Sequence, residues 1–547
     1  MKKYKWLLFD ADDTVLDFLR SEHDALTLTL RGAGLPHSED VISVYSTINE
    51  ALWKKLELGL VEKERLRVQR FEELTAHYGW DTDAAALARA YTDHLSQMSY
   101  VLPGAYECCR ALYESGAYGM YIITNGISSV QRARFGACAV KDFFAQCFIS
   151  GDVGYEKPSR RFFDAVAAQI EGFDPAHALV IGDSLSSDIR GGREYGIDTC
   201  WLNRRGREVP SDGSITYIIN SISDLPALLA CVGEEKAAPA APCAGIHEIA
   251  ARLAKIGVSV TENCPIAPHA SFRIGGPADL CAFPDTEEKF IAALTELDRA
   301  GVRTFVAGNG SDLLFDDRGF RGCVVFTTRI KGIRADGCGL SAACGESLSV
   351  VAGAARDRSL TGLEFSFGIP GCIGGAVFMN AGAYGGTMSD VVRSVRAYDR
   401  KNGKIVTLGA QELHFSYRHS VFEERPELVA LSVDFMLAPG DKAAVGARME
   451  ELMASRKSKQ PLEYPSAGSV FKRPAPDKYV GTMIEGAGLK GMRVGGAEIS
   501  RKHAGFIINA GGATAADVLT LVAVIKTIIR EKYQVELECE IRTVPEK

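Results

Sequence analysis

Four short polar segments in the first half of the chain carry side chains suited to phosphate chemistry. They are Asp10 with Asp12, Thr124 with Asn125, Lys157, and Asp183 with Asp188. One carboxylate can attack phosphorus and form an aspartyl-phosphate, while a second protonates the leaving oxygen and later activates water. A hard cation such as Mg2+ offsets the repulsion among carboxylates, and a lysine and a hydroxyl can stabilise the charge of the transferring group. Together the segments indicate phosphoryl transfer to an aspartate.

Short, mainly apolar runs predict the elements that position these side chains. Residues 5–9, 119–123, 178–181 and 198–202 are typical of parallel strands that are buried on both faces. The carboxyl ends of such strands form the ligand crevice of an open α/β sheet, so distant segments are expected to meet there. The stretch 21–99 lacks strand-like runs and is rich in helix formers. We therefore predict a doubly wound α/β domain over residues 1–230, with a helical cap at about 18–100.

The four segments, in this order and at strand ends, resemble those of the haloacid dehalogenase-like hydrolases. The resemblance implies that Asp10 is the nucleophile and Asp12 the general acid and base. The implied phosphate-binding residues are Thr124, Asn125 and Lys157. The implied ligands of Mg2+ are Asp10, Asp183 and the main-chain carbonyl of Asp12, with Asp188 in support.

Residues 9–14, 123–126 and 200–203 look most like the pyrimidine 5'-nucleotidase branch of that family, which cleaves nucleoside monophosphates. Asp13 stands where the family usually has glycine, a substitution that this branch also carries. The expected partner is therefore a phosphorylated small molecule. The alternative is a degenerate copy that only binds a ligand or a partner protein and turns nothing over.

Three glycine-bearing segments distinguish the second half of the chain, at 271–278, 307–313 and 368–386. Glycine lets the backbone come close to a ligand and present N–H groups to a diphosphate. The predicted cofactor-binding residues are Arg273, Gly275, Gly276, Gly308, Asn309, Gly310, Ser311, Gly371, Gly374, Gly375 and Ala376. Any one of these segments alone is as well explained by a turn, but three within about a hundred residues favour a cofactor site.

Three later residues supply polar chemistry: Arg418, Ser469 and Glu540. Hydride delivery to an enol-ether double bond conjugated to a carboxylate builds up enolate charge, and the neighbouring carbon then needs a proton. Arg418 can stabilise that charge, Ser469 can donate the proton, and Glu540 can orient or share it. A flavin would carry out the hydride chemistry while the protein aims it.

These segments closely resemble the UDP-N-acetylenolpyruvoylglucosamine reductases, over roughly residues 245–545. The resemblance implies that NADPH reduces FAD, which then reduces an enolpyruvyl group on a nucleotide sugar in peptidoglycan precursor synthesis. It also implies a three-lobed α+β structure, with FAD-binding lobes at 246–438 and a substrate-binding lobe at 439–547. Tyr464 and Lys472 would help to bind the nucleotide sugar or NADPH. A flavin oxidase of the same superfamily with another substrate is the alternative.

Composition narrows the partners and the compartment. The chain has 547 residues and a net charge of -7, so we expect several domains and no nucleic-acid partner. An Ala/Pro/Glu-rich run within 231–245 predicts a linker. The 14 cysteines include no CxxC pair, which favours reduced thiols and a cytoplasmic protein. No apolar stretch is long enough to span a bilayer, so we expect no membrane insertion.

Overall fold

The structure is a computed structural model that describes residues 3–57, 59–210, 212–233 and 245–544. The chain divides into two units, Met1–Glu235 with Gly491–Gly495, and Lys236–Lys490 with Gly496–Lys547. Most of the predicted linker, residues 234–244, lies outside the described residues, so the predicted domain boundaries stay a prediction. In the part of the chain that is described, no helix has the length and apolar character needed to cross a membrane.

Six parallel strands form the sheet of the first unit, together with the short antiparallel strand Arg493–Val494, which pairs with Tyr217–Ile219. The order of the six parallel strands is Tyr217–Ile219, Asp198–Leu202, Ala178–Gly182, Trp6–Phe9, Gly119–Thr124 and Gln146–Ile149. All five residues of Ala178–Gly182 are buried, as expected for a strand covered by helices on both faces. The four predicted strands are confirmed, and the α/β fold with them. The strands at 146–149 and 217–219 were not predicted, because their short runs carry no clear period.

Four helices form the cap of the first unit, as the helical insertion predicted. They are Phe18–Gly32, Glu39–Glu57, Lys63–Tyr78 and Ala84–Ser96. Asp17 and Asp83 cap the first and last helices through main-chain N–H groups. Tyr45, Phe71 and Tyr91 pack in the cap core with ring centroids 5.1 to 5.5 Å apart. The other helices of this unit are Ala105–Glu114, Ser128–Gly136, Ser150–Val153, Arg160–Ala167, Arg190–Tyr195 and Leu225–Cys231.

The second unit is an α+β structure with several small sheets. One sheet contains Ser259–Pro265, Pro277–Phe283, Phe320–Phe326 and Thr304–Ala307. A fully antiparallel sheet contains Ile333–Asp336, Gly339–Ala343, Leu428–Met436, Val392–Asp399 and Lys404–Gly409. A third set of antiparallel strands is Ser466–Ser469, Phe506–Asn509 and Ala497–Ile499.

Helices flank these sheets. The glycine-rich segment 368–386 contains one of these helices, Ile373–Phe378, while the segments 271–278 and 307–313 run into strands. The helices are Ile246–Lys255, Glu287–Arg299, Leu348–Asp357, Ile373–Phe378, Val421–Glu424, Lys442–Lys459, Val480–Gly486 and Ala515–Tyr533. The sequence of 443–457 predicts a helix and that of 515–532 a long amphipathic helix, and the helices Lys442–Lys459 and Ala515–Tyr533 agree with these predictions within two residues at each end.

The last strand is shorter than its sequence predicts. Residues 535–543 alternate as a strand does, but the strand covers only Arg542–Val544, which pairs with Leu313–Phe315. Residue 539 makes a single bridge to Phe471. Leu537 and Ile541 are buried, so the alternation reflects burial on one side and not a continuous ladder.

Candidate active sites

The carboxyl ends of three neighbouring strands bring the predicted residues of the first unit together. Asp10 follows Trp6–Phe9, and Asp183 follows Ala178–Gly182. The Lys157 ammonium lies 2.6 Å from Asp10 Oδ1 and 2.6 Å from Asp188 Oδ1, and 2.8 Å from the Ile123 carbonyl oxygen. One oxygen each of Asp10, Asp183 and Asp188 fall within 4.8 Å of one another. Three carboxylates thus lie close together, and one buried ammonium binds two of them.

Burial and mutual repulsion perturb the titration of this cluster. Burial raises the pKa of Asp10, and the repulsion from Asp188 and Asp183 adds to it, while Lys157 opposes both. Burial and the charge of Asp188 raise the pKa of Asp183 to about 7. Burial disfavours the charged Lys157, but Asp10 and Asp188 outweigh burial and raise its pKa. The cluster has an excess of negative charge, and its oxygen-only donor set suits a hard divalent cation such as Mg2+.

The Asp12 side chain lies outside this carboxylate cluster. Its Oδ1 accepts a hydrogen bond from Arg134 Nη1 at 2.5 Å, and its Oδ2 accepts one from Gln131 Nε2 at 2.5 Å. The resemblance implies that Asp12 contacts the metal through its main-chain carbonyl. The side-chain contacts do not test this, so it stays a prediction. Gln131 Nε2 also donates to Thr124 Oγ1 at 2.9 Å, so the predicted phosphate-binding hydroxyl and the predicted acid share one partner.

Asn125 holds the lysine loop in place. Its amide nitrogen donates to the Lys157 carbonyl at 2.8 Å, and the Lys157 main-chain N–H donates to Asn125 Oδ1 at 2.8 Å. The carboxamide is thus occupied by the backbone beside Lys157, and a direct phosphate contact of Asn125 stays a prediction. From the cap, Lys63 Nζ donates to the Asn125 carbonyl at 2.9 Å and to Ser150 Oγ at 3.0 Å.

Several polar residues at this site have contacts that the sequence alone did not predict. Asp13, with φ at +57°, accepts a hydrogen bond from Arg205 Nη2 at 3.0 Å, so the acid that replaces the family's glycine anchors a basic loop. Arg207 of the same loop binds the Asp183 carbonyl. Gln131 and Arg134 lie three positions apart on Ser128–Gly136, directly after the Asn125 segment. That spacing puts them on one helix face, and it is the sequence feature from which their joint role could have been inferred.

A cavity of about 540 Å3 opens beside the glycine-rich segments of the second unit. Eight of the predicted cofactor-binding residues line it: Gly308, Asn309, Gly310, Ser311, Gly371, Gly374, Gly375 and Ala376. A Cβ on Gly375 would meet no atom within 4 Å, whereas one on Gly310, whose φ is +60°, would come within 3.0 Å of the Ala270 backbone. Size, glycine lining and exposed backbone fit a dinucleotide such as FAD.

The other three predicted residues, Arg273, Gly275 and Gly276, are not among the residues that line this cavity. A Cβ on Gly275 would lie 2.6 Å from Phe315 Cβ, and one on Gly276 would lie 2.2 Å from the Asp317 carbonyl oxygen. These glycines allow two stretches of backbone to pack closely. The Arg273 carbonyl oxygen lies 3.5 Å from Asn509 Nδ2. A cofactor contact by this segment stays a prediction.

Two of the three residues predicted to carry the reduction, Arg418 and Glu540, are in direct contact. Arg418, with φ at +56°, donates from Nε to Glu540 Oε1 at 2.6 Å. The Glu540 main-chain N–H donates to the Val470 carbonyl at 2.8 Å, directly after Ser469. A strained backbone at Arg418 that is held by an ion pair is typical of a functional site. A meeting of the Ser469 hydroxyl with this ion pair stays a prediction.

Further charged groups surround this ion pair. Burial raises the pKa of Glu540, while Arg418 opposes it. Burial and the charge of Glu540 raise the pKa of Asp312 to about 8, against the attraction of Arg418 and Arg542. Asp312 lines the cavity and was not singled out from sequence. Its position beside Ser311 in a glycine-rich segment was the only signal for it.

The two predicted substrate-binding residues lie towards the surface. Lys472 Nζ donates to Glu538 Oε1 at 2.6 Å, and its main-chain N–H donates to the Glu538 carbonyl at 2.9 Å. Tyr464 is 47% exposed and follows Pro461 in a short turn. Neither lines the cavity, so a contact with a nucleotide sugar stays a prediction.

Known proteins match both units. Residues 460–544 match the UDP-N-acetylenolpyruvoylglucosamine reductase C-terminal domain, and residues 278–409 match an FAD binding domain. A UDP-N-acetylenolpyruvoylglucosamine reductase of Caldanaerobacter subterraneus is 47% identical over 285 residues, which are 52% of this chain and 93% of that protein. The chain belongs to the UDP-N-acetylenolpyruvoylglucosamine reductase family. A member from Clostridium novyi is 45% identical over 53% of this chain and 93% of its own length.

This family member also carries a second domain, because residues 4–196 match the haloacid dehalogenase-like hydrolases. Solved structures resemble each part. The UDP-N-acetylenolpyruvylglucosamine reductase of Thermus caldophilus is 32% identical over 53% of this chain and 99% of its own, with a TM-score of 0.44. A Bacillus subtilis structure described as a HAD-hydrolase bound to magnesium is 36% identical over 42% of this chain and 99% of its own, with a TM-score of 0.40.

Proposed function

We propose that the second unit reduces UDP-N-acetylglucosamine enolpyruvate to UDP-N-acetylmuramate, a step of peptidoglycan precursor synthesis, with NADPH as the reductant. The chemistry supplied by a bound FAD is hydride transfer from NADPH to the enolpyruvyl double bond. The observation that carries this proposal is the 2.6 Å contact between Arg418 and Glu540, in a family member whose relatives bear the reductase name.

This chain's residues would then perform three tasks. Arg418 stabilises negative charge on the substrate carboxylate and the developing enolate, because its guanidinium is fixed by Glu540 before the substrate arrives. Ser469 donates a proton to the carbon next to the carboxylate. Glu540 keeps Arg418 in place and would restore that proton to Ser469, whose sequence neighbour Val470 it pairs with through the main chain. The glycines that line the cavity would hold the diphosphate of FAD through backbone N–H groups.

The direct test is NADPH oxidation by the full FAD-loaded chain, with and without UDP-N-acetylglucosamine enolpyruvate. Oxidation that depends on the sugar nucleotide supports the proposal. Oxidation that depends on oxygen and ignores the sugar nucleotide would contradict it and favour a flavin oxidase.

For the first unit we propose a Mg2+-dependent phosphomonoesterase with nucleoside monophosphates as its substrates. An Asp10 oxygen forms a bond to phosphorus while the ester oxygen–phosphorus bond breaks, and Asp12 gives its proton to the leaving alcohol oxygen. Water then attacks phosphorus and gives a proton to Asp12, which frees inorganic phosphate and Asp10. The observation that carries this proposal is the buried ammonium of Lys157 between Asp10 and Asp188, with Asp183 beside them.

In this proposal Asp10 and Asp183 would hold Mg2+, which neutralises charge on the phosphoryl oxygens when it is bound. Lys157 and Thr124 would bind the same oxygens. The test is phosphate release from a panel of nucleoside 5'-monophosphates and p-nitrophenyl phosphate, with and without Mg2+. No release from any of these would favour the alternative of a domain that only binds.

A further inference from the structure

The helix Ser128–Gly136 contains a buried polar pair that the proposed reaction does not yet use. Arg134 is 1% exposed and Gln131 is 2% exposed. Their side chains take one Asp12 oxygen each, at 2.5 Å. A carboxylate bound at both oxygens has its rotamer fixed, and a general acid needs that orientation to reach its proton acceptor.

The Arg134 guanidinium also binds both chain segments that connect the cap to the sheet domain. Its Nε donates to the Met98 carbonyl at 2.8 Å, after the last cap helix. Its Nη2 donates to Ser21 Oγ at 3.3 Å in the first cap helix, and its Cζ lies 5.6 Å from the Phe18 ring centre. One side chain therefore contacts the entering hinge, the returning hinge and the predicted acid.

The two hinge segments are in turn paired with each other. The Asp17 main-chain N–H donates to the Tyr100 carbonyl at 2.9 Å, and the Leu102 N–H donates to the Val15 carbonyl at 2.8 Å. A rotation of the cap about this pair would displace Ser21 and the Met98 carbonyl together. Because both bind Arg134, the same rotation changes the position of Arg134 relative to Asp12.

We infer that Gln131 and Arg134 are positioning residues for Asp12, and that Arg134 makes the orientation of this acid depend on the position of the cap. This inference rests on the proposed phosphatase function. Gln131 orients Asp12 relative to Thr124, which it also binds, whereas Arg134 relays the state of the hinge. The acid is then aligned with the leaving oxygen only in the cap position that also shields the substrate from water.

The test compares leaving groups, since general-acid catalysis matters most where the leaving oxygen is basic. A nucleoside 5'-monophosphate leaves as an alkoxide, while p-nitrophenyl phosphate leaves as a stable phenolate. Arg134→Met in the full chain should lower kcat about 100-fold on the nucleotide and less than about 5-fold on p-nitrophenyl phosphate. Equal losses on both substrates would overturn the inference, because a general structural defect does not distinguish leaving groups.

Three further variants separate the alternatives. Gln131→Met removes an Asp12 contact without touching the hinge, so it should give the same leaving-group pattern even where Arg134→Met folds poorly. Arg132→Met changes an exposed arginine of the same helix, paired with Asp152, and should leave both rates unchanged. Lys63→Met removes the cap contact with Asn125 and Ser150 and should lower both rates alike. A leaving-group effect in Lys63→Met as large as in Arg134→Met would contradict a specific role for Arg134.

A failure of the phosphatase proposal is distinguishable from a failure of this inference. If the wild-type chain hydrolyses neither ester, hydrogen exchange still reports on the hinge. Arg134→Met should then speed amide exchange at Asp17 and Leu102, relative to Arg132→Met, and leave Val180 in the sheet unchanged. Unchanged exchange at the hinge would overturn the coupling of Arg134 to the cap.

Discussion

The two sites use the same kinds of charge in opposite proportions. In the first unit Lys157 binds Asp10 and Asp188, and the third carboxylate of the cluster, Asp183, has an ion pair with Arg207. In the second unit Glu540 is bound by Arg418, and the charges of Lys472 and Arg418 both lower its pKa against burial. A cluster with more carboxylates than cationic side chains favours the binding of a divalent metal ion. A carboxylate that is paired with cationic side chains needs no metal ion to balance its charge. The charge ratio thus indicates metal-assisted phosphoryl transfer in one unit and stabilisation of an organic anion in the other.

The supporting structure differs as well. The carboxylates of the first unit lie at the ends of parallel strands that are buried on both faces, so burial perturbs them strongly. Of the polar residues of the second unit, Arg418 lies on a loop, Ser469 ends the strand Ser466–Ser469, and Glu540 lies on a segment with one bridge, joined to Arg418 by an ion pair. Sequence patterns locate the ends of buried strands better than they locate loops. The position of the first site was therefore easier to predict than that of the second.

The largest expected effect comes from Asp10→Asn. Without the nucleophile, phosphate release should fall by about 10⁵-fold or more, because no covalent intermediate can form. NADPH oxidation by the same protein should be unchanged. Phosphate release and NADPH oxidation measured on one preparation check this, and residual hydrolysis near the wild-type rate would contradict the role of Asp10.

Removal of divalent cations tests whether the first site, with its excess of carboxylates, needs a metal ion and the second does not. Chelation should slow phosphate release by about 10⁴-fold, since a bound cation contributes several kcal/mol to such a reaction. Reduction of the sugar nucleotide should be unaffected, because its site balances its own carboxylates. Assays with and without EDTA, restored by added Mg2+, provide the measurement. Loss of both activities would mean that the cation supports the fold.

Ser469→Ala tests the second unit. It should slow the reduction of the sugar nucleotide by about 10³-fold while reduction of FAD by NADPH stays nearly intact, since only the first reaction needs the proton. Stopped-flow absorbance of the flavin separates the two half-reactions. Ser466→Ala, in the same strand, is the matched control. Equal slowing of both half-reactions would contradict the role of Ser469 as proton donor.

The smallest expected effect concerns Asp312 and pH. Its folded-state pKa of about 8 lies above the value of 3.8 for a free carboxyl, so the unfolded chain releases this proton first. Stability contributed by the protonated group is therefore lost as pH rises from about 4 to about 8. The Tm difference between Asp312→Asn and the wild type, both free of flavin, should shift in favour of the variant from pH 5 to pH 8. Asp336→Asn, at an exposed position, should show no such trend.

The sequence predicted the framework of the first site because buried strands have a clear signature and their polar ends converge by topology. It did not predict Gln131 and Arg134, since a helix face with two polar residues looks the same whether it meets solvent or a buried acid. In the second unit the sequence predicts the same role, cofactor binding, for all the glycines of the three segments. The structure separates those that line the cavity, such as Gly375, from Gly275 and Gly276, which pack against backbone. That distinction depends on tertiary contacts.

We propose that one chain carries two independent active sites. The most direct measurement assays wild-type, Asp10→Asn and Ser469→Ala chains, all loaded with FAD, for Mg2+-dependent phosphate release and for NADPH oxidation that depends on UDP-N-acetylglucosamine enolpyruvate. Asp10→Asn should lose only the hydrolysis, and Ser469→Ala only the reduction. A wild-type chain without either activity, or one variant that abolishes both, would contradict this proposal.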